Sequence, residues 1–95
     1  MIIRIAYFDE TSPVGREWIT AALQGVDGVQ AAYHAAPADG GPGYVSVAVL
    51  DDMDAEPRSA AALSARREEL GVASKGPDRV AYFVVNDHVD NARSI

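Results

Sequence analysis

The middle of the chain, residues 35–43, reads AAPADGGPG and contains only alanine, proline, aspartate and glycine. This composition predicts a loop, because proline and glycine favour turns and interrupt helices and strands. The runs on either side, Val29–His34 and Tyr44–Leu50, contain the valine and tyrosine typical of strands. The sequence therefore predicts a β-hairpin at the centre of the chain, and any fold must arrange its other elements around it.

One strand and one helix are predicted before the hairpin. Ile2–Phe8 has the β-branched and aromatic residues of a strand. Thr11-Ser12-Pro13 predicts a helix start, because serine and threonine cap free backbone N–H groups and proline fits the first turn. We expect this helix to continue through Ile19–Leu23 and to stop near Gly25.

One helix and one strand are predicted after the hairpin. The acidic segment Asp51–Glu56 suits the positive end of a helix dipole, and the proline that follows it fits the first turn. The alanine-rich run extends this second helix to Leu70, and Gly71 ends it. Val80–Val85 predicts the fourth strand, and the chain then turns polar.

The resulting order, β-α-β-β-α-β, is that of the ferredoxin-like plait, an α+β fold. Right-handed crossovers place both helices on one face of a four-stranded antiparallel sheet and leave the other face bare. Residues 1–95 are expected to form a single domain, because the length suits one domain and no linker divides the chain. The ordered part is predicted at about 2–85, followed by a polar C-terminal tail at 86–95.

Strand alternation gives the predicted sheet two unlike faces. The first, which we call the valine face, is uniformly apolar and carries Ile3, Ile5, Tyr7, Val29, Ala31, Tyr33, Val45, Val47 and Val49. The second, the mixed face, combines small, aromatic and polar residues, among them Arg4, His34, Tyr44 and Ser46. We expect the valine face to pack against the helices and the mixed face to be buried in a homodimer.

Charge and composition exclude several classes of protein. The net charge is −6 and the eight Lys and Arg residues are scattered, which argues against binding to nucleic acid or to an anionic membrane. No run approaches the roughly 20 apolar residues that span a bilayer, and MIIRIAYFDE is too short and too soon acidic for a signal peptide. Without cysteine there is no disulfide or thiolate chemistry. We expect a cytoplasmic protein that forms a homodimer, because an alanine-rich core buries little area.

Several stretches resemble a known family. They are Ile3-Arg4-Ile5-Ala6, Gly25-Val26-Asp27-Gly28-Val29, Gly43-Tyr44-Val45-Ser46-Val47 and the helix end Ala65-Arg66-Arg67-Glu68-Glu69-Leu70-Gly71. Together they look like a small actinobacterial member of the dimeric α+β barrel superfamily, the group that contains the antibiotic biosynthesis monooxygenase-like proteins. The likeness covers roughly Ile2 to Val85 and is a pattern of elements without a catalytic signature.

The resemblance implies that two plaits pair their bare sheet faces into one barrel. Family activities include cofactor-independent oxidation of polycyclic phenols, heme degradation, and lyase or isomerase reactions. The heme-degrading members use a histidine on the second helix as iron ligand, and residues 54–70 contain none. We therefore expect no cofactor and no metal, and no catalytic residue is carried over from the family.

Five residues are candidates for binding a substrate: Arg4, His34, Tyr44, Ser46 and Tyr82. Arg4 would hold a carboxylate or phenolate by a forked hydrogen bond, or equally make an ion pair across a dimer. His34 has a pKa range suited to acid–base work, although a surface histidine beside a loop is more often inert. Tyr82 belongs to the set only if the fourth strand turns Tyr82, and not Phe83, to the same side as Arg4. The acidic run Asp51–Asp54 is interpreted as a helix start and not as a metal site.

Two classes of function remain open. The first is a cofactor-independent monooxygenase or isomerase that acts on a small aromatic or polyketide-like molecule, by analogy of fold. The second is a non-catalytic small-molecule-binding or regulatory dimer, such as a sensor of the ACT type, which shares the element order. Its ligand would bind at a subunit interface near Ser12–Gly15. Whether the protein is an enzyme is undecided by the sequence.

Overall fold

The computed structural model describes residues 1–71, 76–89 and 91, and its elements follow the predicted order. The strands are β1 (Ile2–Phe8), β2 (Val29–Ala35), β3 (Tyr44–Leu50) and β4 (Arg79–Val84), and the helices are α1 (Trp18–Ala22) and α2 (Glu56–Leu70). The strands form one antiparallel sheet in the order β2-β3-β1-β4. The ferredoxin-like α+β fold is therefore confirmed. Of the predicted tail, residues 90 and 92–95 lie outside the described part.

The first helix begins later than the sequence predicted. Residues 12–16 form a turn in which the Ser12 hydroxyl accepts from the Val14 N–H at 3.2 Å and the Arg16 N–H donates to the Pro13 carbonyl at 3.3 Å. Gly15 then adopts φ +80°, which a right-handed helix cannot include. The helix start expected at Pro13 is therefore wrong, and α1 begins only at Trp18.

The second helix begins as predicted. Met53–Ala55 forms a turn of 3-10 helix that leads directly into α2, and the Asp52 carboxylate accepts from the Asp54 N–H at 2.9 Å. Gly71 ends α2 in the left-handed conformation at φ +63°. Among the described residues no group of three or more acidic, histidine or cysteine side chains is placed to hold a metal ion. In the same part of the chain no helix is long and apolar enough to cross a membrane.

The helices cover the mixed face, which reverses the expectation. Tyr44, Ser46, Ala48 and Leu50 alternate along β3 as its buried residues, whereas the valines between them are half-buried. On β1 the buried residues are Ile2, Arg4 and Phe8. The valine face is thus the bare one, and the prediction that it packs against the helices is wrong. The prediction that a homodimer buries the mixed face is also wrong, because the helices already cover that face.

The physical reason lies in the large apolar residues at the two ends of the mixed face. At one end Ile2 and Leu50 pack with Leu23 of the α1 segment, and at the other Phe8 and Tyr44 pack with Ile19. Between these clusters the charged group of the face, the Arg4 guanidinium, finds its partners on α2, which offsets the cost of burying it. The valine face is more uniform in composition but has no helix against it.

The pairing register of the strands shows on which side of the sheet two further residues lie, Val29 and Tyr82. Gln30 forms a bulge, so that Val29 lies opposite Leu50 and joins the cluster under the helices, away from the valine face to which strict alternation assigns it. In β4, Tyr82 lies opposite Arg4 and therefore points to the helix side of the sheet.

The close packing of the turn before β3 can be tested by substituting two of its glycines, Gly40 and Gly43. Both Gly40 and Gly43 have positive φ, but a Cβ at Gly43 would meet the carbonyl oxygens of Asp9 at 2.6 Å and Phe8 at 2.8 Å, whereas a Cβ at Gly40 meets nothing within 4 Å. We expect Gly40→Ala to destabilise the fold by about 1 kcal/mol, the cost of the left-handed conformation alone. Gly43→Ala should lose at least about 2 kcal/mol more, since the backbone must shift. Urea unfolding of both variants measures the difference, and equal losses would contradict the close packing of this turn.

Candidate functional site

A cavity of about 220 Å³ lies between the mixed face and the helices. Its floor is formed by β1, β3 and β4, one wall by α2, and the opposite wall by Arg16, Trp18 and Ile19 around the start of α1. This volume is below the roughly 300–1,000 Å³ of typical ligand pockets, so the cavity has room for only a small molecule. Its two ends differ in chemistry.

One end of the cavity is aromatic. The rings of Phe8 and Tyr44 are stacked, with centroids 4.4 Å apart and planes 6° from parallel, and Trp18 packs against them. The His34 ring meets Tyr44 edge-on at 4.8 Å. Burial raises the pKa of Tyr44, an effect that the nearby positive charge of Arg16 partly offsets. Tyr44 therefore stays a neutral phenol at physiological pH, and its hydroxyl has no hydrogen-bond partner among the described residues.

The other end contains a buried ion pair. Nη1 of Arg4 donates to Oε2 of Glu56 at 2.9 Å and to the Ser59 hydroxyl at 2.8 Å. The Ser59 hydroxyl in turn donates to the Glu56 carbonyl at 2.9 Å. Partial desolvation raises the pKa of Tyr82, the nearby Glu56 carboxylate raises it further, and the positive charge of Arg4 partly offsets the rise. Tyr82 thus lies beside the Arg4–Glu56 pair.

The structure brings four of the five candidate residues together. Arg4, Tyr44, Ser46 and Tyr82 line the cavity. His34 does not line the cavity, but its ring packs against Tyr44, which does. The Nε2 atom of His34 is buried and has no hydrogen-bond partner in the described part of the chain. Arg4 forms an ion pair within the chain, with Glu56. That these residues bind a substrate stays a prediction.

Sequence reasoning missed the residues that α2 and the α1 segment contribute. Glu56, Ala60, Leu63 and Arg67 line the cavity at helical spacing, on one face of α2. This stripe is readable in the sequence, but it becomes informative only once the mixed face is known to lie beneath α2. A buried arginine also requires an acidic partner, which is a signal that points to the first turn of α2.

Comparison with solved structures shows what the chain is similar to. It superimposes on MhuD, a heme-degrader from Mycobacterium tuberculosis with two hemes bound in its active site, at a TM-score of 0.68 and 15% identity over 95% of this chain and 100% of the other. A mutant of MhuD with two manganese protoporphyrin IX molecules per active site gives a TM-score of 0.71 at 15% identity, over 95% and 99% of the two chains.

A third similar structure is SnoaB, a cofactor-independent oxygenase from Streptomyces nogalater, with a TM-score of 0.64 and 18% identity over 93% of this chain and 94% of the other. No protein-family model and no curated protein sequence matches the chain. The chain has the fold of the antibiotic biosynthesis monooxygenase-like proteins of the dimeric α+β barrel superfamily, as its sequence resemblance predicted. At these identities the likeness shows the fold alone.

The residues of this cavity do not fit heme. Among the described residues that line it there is no histidine, cysteine or methionine to bind the iron. The remaining candidates are Tyr44 and Tyr82, and the raised pKa of both phenols opposes the deprotonation that an axial tyrosinate requires.

The Arg4–Glu56 pair supports the fold as well as the cavity. The exposed fractions of its side chains are 8% and 23%, against 46% and 64% for the surface pair Arg66–Glu69. We expect Glu56→Gln to reduce the free energy of unfolding by about 3 kcal/mol, because it leaves a buried guanidinium without its counter-charge. Glu69→Gln, the same chemical change on the surface, should cost about 0.5 kcal/mol or less. Urea unfolding at neutral pH compares them, and a similar small loss in both would show that the Arg4 pair is solvent-screened.

Proposed function

We propose that the protein is a cytoplasmic homodimer that binds a small aromatic molecule in the cavity and oxidises it without a cofactor. The observation that carries this proposal is the cavity itself, in which stacked Phe8 and Tyr44 and the ring of Trp18 offer flat apolar contacts beside a few polar groups. Such a combination is typical of sites that orient a small aromatic ligand. The likeness in fold to a cofactor-independent oxygenase supports the type of reaction by analogy.

Oxygenation without a cofactor requires a substrate that supplies its own electrons. An activated methylene group loses a proton, the carbanion transfers electrons to O₂, and the net reaction converts CH₂ and O₂ into C=O and H₂O. The protein would hold the ring, exclude water and accept the proton. Among the described residues Glu56 is the one carboxylate that lines the cavity, and the Tyr44 hydroxyl is free to donate a hydrogen bond to a ligand oxygen.

A substitution that fills the cavity tests where the ligand binds. Ala60 and Ala61 are both exposed on α2, but only Ala60 lines the cavity, at its open side. We expect small phenols and naphthols to raise the melting temperature of the wild-type protein, because they stabilise the folded state by binding to it. Ala60→Leu should abolish this shift by occupying the space, and Ala61→Leu should retain it. Differential scanning fluorimetry measures both.

The same screen separates the competing functions. Stabilisation by amino acids and not by aromatics would favour the regulatory alternative of the ACT type, and a shift that persists in Ala60→Leu would place the site elsewhere. Compounds that bind are then followed with an oxygen electrode. Binding without oxygen consumption would contradict the oxygenase and leave a non-catalytic binding protein.

The homodimer is proposed to form through the valine face. No helix covers this face in the described chain, although Ile3, Ile5 and the three valines of β3 lie side by side on it. Its margins are more exposed, with Tyr33 at 57% and Phe83 at 49%. A contiguous apolar surface of this kind marks an interface, and a small domain gains stability by burying it.

A charge at the centre of the valine face tests this arrangement. Val47 lies opposite Ile5 on one side and Tyr33 on the other. We expect Val47→Lys to convert the dimer to a monomer of about 10.1 kDa, because a buried ammonium without a partner opposes association. Ser64→Lys, on the exposed side of α2, should remain dimeric. Multi-angle light scattering gives both masses, and a wild-type monomer at micromolar concentration would refute the dimer.

A further inference from the structure

We infer that the cavity selects an aromatic anion, whose acid group binds between Arg16 and Arg67 while its ring lies on Phe8 and Tyr44. This inference rests on the proposed function, since it names the class of substrate for the same cavity. It is carried by the distribution of charge around the cavity, which is opposite in sign to that of the whole protein.

The lining of the cavity is cationic in an acidic protein. Three of the chain's eight Lys and Arg residues, Arg4, Arg16 and Arg67, line the cavity together with one of its 14 Asp and Glu residues, Glu56. The described lining therefore carries a formal charge of +2, whereas the chain as a whole carries −6. A cleft with apolar walls focuses such a field and raises the local concentration of anions.

The three arginines are not equivalent. Arg4 is neutralised by Glu56, but neither Arg16 nor Arg67 has an ion pair with another described residue. Arg66, the neighbour of Arg67 on α2, does have one, with Glu69 at 2.7 Å. Both side chains are exposed, but Arg66 is paired with Glu69, whereas Arg67 lies at the rim of the cavity without an ion pair among the described residues.

The two unpaired arginines lie at the aromatic end. Arg67 follows Glu56 by 11 residues on α2, which is about 16 Å along the helix axis. Leu63, one turn before Arg67, packs against the cluster of Phe8, Ile19 and Tyr44. Arg16 is close enough to Tyr44 to act on its pKa. The cavity is therefore polarised, with a neutral hydrogen-bonding end at Glu56 and a cationic end beside the aromatic rings.

Trp18 lines the cavity at the same end, and its ring packs against the cluster of Phe8 and Tyr44. Its indole N–H is enclosed by neighbouring atoms and has no hydrogen-bond partner among the described residues, so a ligand in the cavity would reach it only after a local rearrangement. A carboxylate beside this ring offers two oxygens that match the planar fork of arginine.

The test compares an anion with its uncharged counterpart. Naphthoate and naphthamide have the same ring system and nearly the same shape but differ by one negative charge. We expect wild-type protein to bind naphthoate at least about tenfold more tightly than naphthamide in isothermal titration calorimetry, the contribution of one charge-assisted hydrogen bond. Added salt should weaken the binding of naphthoate and leave that of naphthamide unchanged.

Variants assign the effect to the two arginines. Arg16→Gln and Arg67→Gln should each remove most of the preference for naphthoate without changing the affinity for naphthamide. Arg66→Gln is the matched control, since it removes the same charge one residue away, and it should retain most of the preference. Circular dichroism and thermal melts verify that all three variants are folded.

The outcomes distinguish the two proposals. Equal binding of both probes, or an equal loss in Arg66→Gln and Arg67→Gln, overturns the inference about charge while the aromatic cavity stands. Binding of neither probe to the wild-type protein overturns the proposed function and this inference with it.

Discussion

Arg4 places a guanidinium near the middle of the buried side of the sheet, where it is 6% exposed. Its counter-charge and its second hydrogen-bond partner both come from the first turn of α2, through Glu56 and Ser59. A buried charge without a partner costs several kcal/mol, so this turn of α2 must lie over the start of β1. From that attachment the cavity-facing residues of α2 follow at helical spacing along the sheet, and the cavity between helix and strands takes its length and direction from them.

The same attachment explains why the two faces of the sheet are used as they are. A uniformly apolar face rich in β-branched residues packs well against another flat apolar surface, such as the same face of a second chain. The mixed face has small residues at Ala48 and Ser46 and polar groups that α2 can satisfy, so it accommodates helices and still leaves a cavity. Both faces are thus suited to burial, one with a cavity beneath the helices and the other as a flat apolar surface.

This division also shows how far the sequence could lead. The strands and the second helix were predictable to within a residue or two, because the hairpin loop, Gly71 and the acidic segment before α2 are strong local signals. The choice of face was not, because alternation defines two faces without stating which one the helices cover, and the more apolar face was the wrong choice. The start of the first helix was also predicted wrongly, at Pro13, because Gly15 two residues later turns the chain before a helix can begin.

For the cavity, the sequence identified the residues on the strands and missed those on the helix. Arg4, Tyr44 and Ser46 share a face by parity alone, whichever side the helices take. Tyr82 needed the register of β4, which places it opposite Arg4. Arg16 and Arg67 could not be recognised, because the importance of an arginine at a cavity depends on whether it has an acidic neighbour in space, as the contrast between Arg66 and Arg67 shows.

The polarised cavity connects the choice of ligand with the chemistry proposed for it. A negatively charged group meets no net charge at the Arg4–Glu56 pair but is attracted by Arg16 and Arg67, so the proposed anionic ligand has one favoured orientation along the cavity. In that orientation its acid group would lie beside Trp18, and the opposite edge of its ring would approach Tyr82 and the Arg4–Glu56 pair. Binding and proton transfer would then use different ends of the site, and the affinity gained at the cationic end would serve to position the reacting carbon near the carboxylate.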